Sequence, residues 1–80
     1  MSGPVINTTG RHPSVKAIAR WFEFRHLDGP ARNASEAVFD LAEHMIDSYP
    51  DSTQLTAGLW DLLHAKDCFV RCAIEASETA

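Results

Sequence analysis

The chain has 80 residues, 45% of them hydrophobic and 22% charged, with a formal net charge of −4. This length allows a single domain with a limited core, and the composition excludes a wholly disordered chain. No apolar run approaches the roughly 20 residues that cross a bilayer, and the first residues do not resemble a secretory signal. We therefore expect a cytoplasmic protein with no membrane contact.

The charge is divided unevenly along the chain. Residues 1–32 carry +3 and residues 33–80 carry −7. The overall acidity argues against a general nucleic-acid binder. A basic first part on an acidic body indicates either head-to-tail contact between chains or a local anion site, although an uneven scatter of charge on a short chain explains it equally well.

The first part of the chain predicts a mobile segment followed by a short helix. Residues 1–12 are rich in Gly, Pro, Thr and Asn without periodicity, so we expect mobility there and one helical domain over residues 13–80. Ser14 is predicted to cap the helix after Pro13. Apolar residues at i, i+3, i+4 and i+7 give its inward face: Val15, Ile18, Ala19 and Phe22.

A second helix is predicted from Pro30 to Ser48, because Gly29 and Pro30 interrupt the first and Asp28 can cap the next. The apolar positions of this helix keep the 3.6-residue period: Ala31, Ala34, Val38, Leu41, Ala42, Met45, Ile46 and Tyr49. Its opposite side is acidic and is expected to be a solvated face: Glu36, Asp40, Glu43 and Asp47.

A third helix is predicted from Ser52 to Ala76, with Asp51 and Gln54 as a capping box and Gly58 as a point of close packing. Cys68 and Cys72 are read as reduced, buried small residues, because a bridge at i, i+4 would constrain the chain little. The expected inward residues of this helix are Leu55, Leu59, Leu62, Leu63, Phe69, Val70, Ala73 and Ile74.

These elements predict an all-α fold, with a short N-terminal helix and a long antiparallel αα-hairpin. Two helices leave part of each apolar stripe uncovered. The missing cover must come from the first helix, from other copies of the chain, or from both. We therefore expect a homo-oligomer, most simply with closed symmetry.

Two basic residues of the third helix are candidate ligands for an anion. Positions 55, 59, 62, 66, 69 and 73 form a heptad-like apolar row on the third helix, and Lys66 interrupts it. Its ammonium must therefore pair, reach water or contact a bound anion. Arg71 follows Trp60 and His64, which suit stacking and hydrogen bonding beside a guanidinium. The alternatives are a Lys66 side chain that extends to water and a surface pair of Arg71 with Asp67 at i, i+4.

The stretch "RWFEFRH", residues 20–26, interleaves aromatic and basic side chains. Phe22 fits the apolar stripe, whereas the others do not all fit it. Such a mixture suits stacking on bases and neutralising phosphates, and it also suits a protein–protein interface. The candidate ligand-binding residues of this stretch are Trp21, Phe24, Arg25 and His26.

Metal binding and catalysis have little support in the sequence. His64, Cys68 and Cys72 share one side of a helix, but at 1.5 Å per residue the ends of this column lie about 12 Å apart, too far for one ion. No serine or cysteine has an identifiable base, and no phosphate loop is present. We expect no enzyme, no cofactor and no metal.

The segments "FEFRHLDGPARNASEAVFDLAEHMID" and "YPDSTQLTAGLWDLLHAKDCFVRCAI" resemble small helical-hairpin proteins of actinobacterial phages. These in turn resemble the hairpin domain of anti-CBASS and anti-Thoeris sponges, oligomers that sequester immune signals in pockets between protomers. The resemblance implies that this chain binds a cyclic di- or trinucleotide, or a cyclic ADP-ribose, without turnover. The matching positions are Phe24, His26, Lys66 and Arg71. One departure is that Leu27 is followed here by Asp28, Gly29 and Pro30 rather than directly by proline.

On this hypothesis Lys66 and Arg71 hold phosphates, Phe24 and Trp21 stack on bases, and His26 and Arg25 bond the ligand edge. The rival hypothesis is an interaction module that assembles with itself or with a host or phage protein. Binding to duplex DNA is disfavoured, because the third helix carries only two basic residues.

Overall fold

The computed structural model describes residues 5–24 and 26–79 of the chain. This part forms three α-helices, α1 (Pro13–Ala19), α2 (Gly29–Ser48) and α3 (Thr53–Thr79), and a 3₁₀ turn (Arg20–Phe22) that continues α1. No strand occurs in it, so the predicted all-helical class is confirmed. Residues 1–4 of the segment predicted to be mobile, the candidate ligand Arg25 and the last residue of the chain lie outside the described residues.

The predicted stripe of α1 is confirmed, whereas its predicted cap is wrong. Val15, Ile18, Ala19 and Phe22 are buried. The N-cap is His12, whose Nδ1 accepts a hydrogen bond from the backbone N–H of Ser14 at 3.0 Å. Ser14 lies inside the helix because Pro13, with its preset φ, already takes the first helical position.

Helix α2 begins one residue before the predicted start, after Asp28 and at Gly29, whose φ of +59° favours glycine. Asp28 occupies the N-cap position, but its side chain makes no capping hydrogen bond. The buried face is rotated relative to the prediction: Leu41 and Tyr49 are exposed. The buried residues of α2 are Ser35, Val38, Phe39, Ala42 and Ile46.

Helix α3 is capped by Ser52, whose Oγ accepts a hydrogen bond from the N–H of Leu55 at 3.0 Å. The prediction of Asp51 as the cap is wrong, because its carboxylate is engaged elsewhere. The predicted close packing at Gly58 is not found within the chain, since a Cβ added there would meet no atom of another described segment within 4 Å. Cys68 and Cys72 are free thiols and both are exposed, which corrects their predicted burial.

The three helices enclose one apolar core. Helices α2 and α3 pack along each other and are joined by the short connection 49–52. The core residues are Ile6, Val15, Ile18, Ala19, Phe22, Phe24, Val38, Phe39, Ala42, Ile46 and Leu59, with Leu27, Leu55, Leu62 and Leu63 packed at its edge.

Helix α1 and the 3₁₀ turn cover only one flank of the α2–α3 pair. On α3 this flank includes Thr56, whose Oγ1 lies 3.2 Å from Ser14 Oγ. Gly58 follows Thr56 by two positions, which is a rotation of about 200° around the helix axis, so Gly58 lies on the other flank. No described residue covers that second flank near Gly58.

The segment before α1 contacts the far end of α2. Ile6 is buried, and the Arg11 guanidinium donates hydrogen bonds to the carbonyls of Ile46 and Tyr49. These carbonyls lie at the C-terminus of α2, where a helix has no partners of its own for them. Arg11 Nε also pairs with Asp51 Oδ1 at 2.7 Å.

Asp51 completes this contact. Its Oδ2 accepts a hydrogen bond from the backbone N–H of His12 at 2.7 Å. The hydrogen bond from Arg11, followed by that from His12, lowers the pKa of the Asp51 carboxyl below its usual value of 3.8. The carboxylate therefore links the N-terminal segment to the turn between α2 and α3.

Within residues 5–24 and 26–79, none of the helices combines the length and the hydrophobicity that a bilayer span requires.

Candidate functional site

Lys66 is buried and holds two backbone carbonyls. Its side chain extends from α3 towards the end of the 3₁₀ turn, and the residue is 8% exposed. Nζ donates to the carbonyl of Trp21 at 2.6 Å and lies 3.4 Å from that of Glu23. Desolvation lowers the pKa of Lys66 from 10.5, an effect partly opposed by Asp67. Its ammonium thus supports the turn between α1 and α2, a role that the sequence hypothesis did not include.

Three other candidate residues border the surface beside Lys66. Two adjoining depressions, of about 410 and 270 Å³, share His26, Lys66 and Asp67 in their linings. Trp21 and Arg20 add to the first depression, and Arg71 adds to the second. The structure therefore brings Trp21, His26, Lys66 and Arg71 to one side of α3, although they are distant in sequence.

Phe24 does not belong to this surface. It is 3% exposed and packs edge-on against Phe39, with ring centroids 5.2 Å apart. The guanidinium carbon of Arg32 lies 5.3 Å from its ring centroid. The expected stacking of Phe24 on a base is therefore corrected to a role in the core, because the backbone becomes extended at Glu23 and the helical period no longer places residue 24.

The electrostatics of the two depressions are mixed. Trp21 is exposed, and the Arg20 guanidinium lies 4.9 Å from its ring centroid, an arrangement suited to stacking on a planar group. Asp67 lies in both linings and opposes the approach of an anion. Of the two cations predicted to hold phosphate, Arg71 is exposed and Lys66 is already bonded to carbonyls.

No metal site is formed by the described residues, in which no three His, Cys, Asp or Glu side chains come together.

A concave surface larger than the two depressions beside Lys66 lies on the uncovered flank of the α2–α3 pair. It is a groove of about 520 Å³ between the two helices, and none of its described lining residues carries a charge. Leu41 and Tyr49 are exposed along it, and Gly58 leaves open space at its floor. Its lining comprises Leu41, Met45, Tyr49, Pro50, Ser52, Gln54, Leu55, Gly58, Leu59 and Leu62.

The uncharged surface continues along α3 beyond the groove. Phe69, 54% exposed, lies about one turn after Ala65 on the same flank. Residues spaced alternately three and four apart follow this flank, as in a coiled-coil seam. We call them the α3 seam: Leu55, Gly58, Leu62, Ala65, Phe69, Cys72 and Ala76.

Sequence reasoning did not identify the groove, but a signal for it was present. The predicted inward residues of α3 follow the neighbouring positions 59, 66 and 73, which face the core side. The α3 seam has the same spacing and carries no charge, and it shares Leu55, Leu62 and Phe69 with the predicted face. Two overlapping heptad patterns on one helix indicate two apolar contacts.

Comparison of the chain with protein-family models, with curated proteins and with solved structures found no match. The likeness to phage hairpin proteins thus stays a prediction. The site is defined by its own geometry: a mixed polar depression on one flank of α3 and a larger apolar groove on the other.

Proposed function

We propose that this protein is a self-assembling helical interaction module, an antiparallel αα-hairpin that forms a homo-oligomer through its uncovered flank. The observation that carries the proposal is the groove between α2 and α3, which is apolar, open and without charge in its described lining. Exposed apolar surface of this kind on a small domain is characteristic of a protein–protein contact.

The size of the chain supports the same function. A domain of this length buries a modest fraction of its surface, so association adds to a core that is small on its own. Leu41, Tyr49 and Phe69 are exposed on or beside the groove, where water would otherwise contact them. Aromatic and large aliphatic residues are the usual anchors of such contacts.

A second candidate function is favoured by the depressions beside Lys66. Trp21, His26 and Arg71 border them, which are residue types suited to a base and a phosphate. In this proposal the protein is a phage-type sponge that sequesters a cyclic oligonucleotide or cyclic ADP-ribose signal in the host cytoplasm, with neighbouring protomers completing each pocket. It ranks second because Phe24 is buried, Lys66 is engaged and Asp67 adds a negative charge.

Native mass spectrometry separates the two functions. The purified protein is measured alone and with a panel of cyclic di- and trinucleotides and cyclic ADP-ribose isomers. The interaction module is expected to give a defined oligomer with no ligand adduct. A monomer alone at all accessible concentrations would contradict self-assembly.

Adducts of one ligand in a fixed number per oligomer would instead favour the sponge. In that case Arg71→Ala is expected to abolish the adduct while the helicity and the oligomer mass stay unchanged. Loss of the oligomer in Arg71→Ala would assign this residue to the protein contact rather than to a ligand.

A further inference from the structure

The α3 seam has an alternation of side-chain size that specifies how a second copy fits it. Its large residues, Leu55, Leu62 and Phe69, are seven positions apart, and each is followed three positions later by a small residue, Gly58, Ala65 or Cys72. Ala76 ends the seam. Two seams laid parallel and in register would face large residues with large and small with small. Two antiparallel seams in the register that places Gly58 opposite Phe69 instead face each large residue with a small one.

We propose that the groove receives a second copy of this chain, with the two α3 helices antiparallel and Phe69 of each copy seated at Gly58 of the other. This inference rests on the proposed self-assembly and adds the surface, the direction and the register. In this register Leu62 faces Ala65 and Leu55 faces Cys72, so each layer from residue 55 to residue 72 pairs one large with one small residue. Such alternation is what allows facing helices to interdigitate.

The open space at Gly58, here called the hole, and the projecting ring of Phe69 lie on one face of α3, as a two-fold contact requires. In such a contact residue i meets residue j of the partner, and j meets i. Gly58 and Phe69 are about 16 Å apart along α3, so the two-fold axis passes midway, between Leu62 and Ala65. The same surface thus supplies both the ring and its receptor.

The space at Gly58 fits an aromatic ring. A Cβ there would meet no atom within 4 Å, and the groove of about 520 Å³ opens around it. Leu41, Met45 and Leu62 line its sides. An exposed phenyl ring from the partner would lose its contact with water on entering this groove, which provides the driving force.

The dimensions and the charge also fit a second copy. A standard interface buries about 800 Å² on each partner, which a molecule of 43 × 30 × 18 Å can supply from one flank. Antiparallel α3 helices bring the acidic end of each, with Glu75 and Glu78, towards the positive N-terminal end of the other. The seam itself is uncharged, so the net charge of −4 is not concentrated at the contact.

An exchange of the ring and the hole tests the proposal by analytical ultracentrifugation. Phe69→Ala removes the ring twice per dimer and is expected to raise the dimer dissociation constant by about 100-fold or more. Gly58→Phe fills the hole and is expected to weaken the dimer likewise. The double variant, with both changes, faces a new ring at residue 58 with Ala at residue 69, and it is expected to recover most of the lost affinity.

Trp60→Ala is the matched control. Trp60 is 53% exposed on α3, almost the same as Phe69, but it lies away from the seam. Its truncation is expected to leave the dimer unchanged. Circular dichroism of each variant checks that α3 remains helical.

Cys72, one of the two cysteines of the chain, reports the relative direction of the two α3 helices. Parallel seams in register would place Cys72 beside Cys72 of the partner, whereas the antiparallel register separates them by about 25 Å. Mild oxidation is therefore expected to leave the wild-type dimer uncrosslinked and to crosslink the Leu55→Cys variant through Cys72 of the other copy. A rapid wild-type crosslink through Cys72 would overturn the antiparallel register.

The outcomes distinguish this inference from the proposed function. A wild-type protein that stays monomeric would contradict both the docking of Phe69 at Gly58 and the proposed self-assembly. A wild-type oligomer that is indifferent to Phe69→Ala and Gly58→Phe, or is not restored by the double variant, would overturn the docking of Phe69 at Gly58 and leave self-assembly standing.

Discussion

Lys66 shows how a charge on an apolar helix face is accommodated in this molecule. The last carbonyls of a helical turn have no partners within the turn, and the 3₁₀ turn ends at Phe22. The ammonium of Lys66 takes the carbonyls of Trp21 and Glu23. Its hydrogen bonds thus tie α3 to the chain reversal that follows α1, at the cost of desolvating the charge.

Replacing Lys66 by Met is expected to lower the free energy of unfolding by about 1–3 kcal/mol, because the two carbonyls lose their donor. Urea denaturation followed by circular dichroism measures this change. Lys16→Met is the control, since Lys16 is an exposed lysine of α1 and its replacement is expected to have little effect. Equal effects of the two variants would contradict the role given to Lys66.

The difference in unfolding free energy between the wild type and Lys66→Met is expected to change with pH in a defined direction. Because burial lowers the folded-state pKa of Lys66 below 10.5, the unfolded chain binds more protons in the window between these values. The stability of the wild type relative to Lys66→Met is therefore expected to rise with pH through that window. A relative stability that falls there would show that the pKa is raised instead.

At the scale of elements, Arg11 completes the C-terminus of α2 from a distant part of the chain. Its guanidinium contacts two carbonyls and one carboxylate around the turn between α2 and α3. This fork is a geometry that a lysine cannot reproduce. The N-terminal segment is thereby attached to the α2–α3 turn as well as to the core through Ile6.

Arg11→Ala is expected to destabilise the protein by about 1.5–3 kcal/mol, the usual range for hydrogen bonds to a charged group. Hydrogen exchange is expected to rise in residues 5–12 and at the end of α2. Arg11→Lys should recover only part of the loss, and Arg20→Ala, at an exposed position, should show neither effect. Unchanged exchange in residues 5–12 would contradict the anchoring role of Arg11.

The periodic elements were predictable and the contacts between distant segments were not. Period and turn residues place the start of α2 within one residue of its position at Gly29. They also place Phe22 in the core. The burial of Phe24 could not be predicted in this way, because the helical period ends at Phe22 and the backbone is extended at Glu23. The partners of Lys66 and Arg11 are 35 to 45 residues away, and no local pattern encodes them.

At the scale of the whole molecule, the number and length of the helices are enough to predict that an apolar face stays uncovered. The position of that face depends on how the helices pack. Helix α1 and the 3₁₀ turn are short and cover one flank of α2 and α3. The other flank has no cover among the described residues near Gly58. The proposed self-assembly would therefore couple to folding, because association stabilises only the folded chain.

This coupling makes the melting temperature depend on concentration. Over a hundredfold dilution, the wild-type protein is expected to lose several degrees in melting temperature, since dilution favours the dissociated form. Differential scanning calorimetry measures the shift. Phe69→Ala should melt at a temperature that depends little on concentration, and a wild-type protein that behaves in the same way would speak against a dimer coupled to folding.

The contact between Arg11 and Asp51 has a consequence for the protein during its synthesis. The two residues are 40 positions apart, and the earlier one leaves the ribosome first. At roughly 5–20 residues per second, Arg11 waits about 2–8 s before its carboxylate partner is made. The segment that contains Arg11 is therefore attached to the turn between α2 and α3 only after residue 51 has been made.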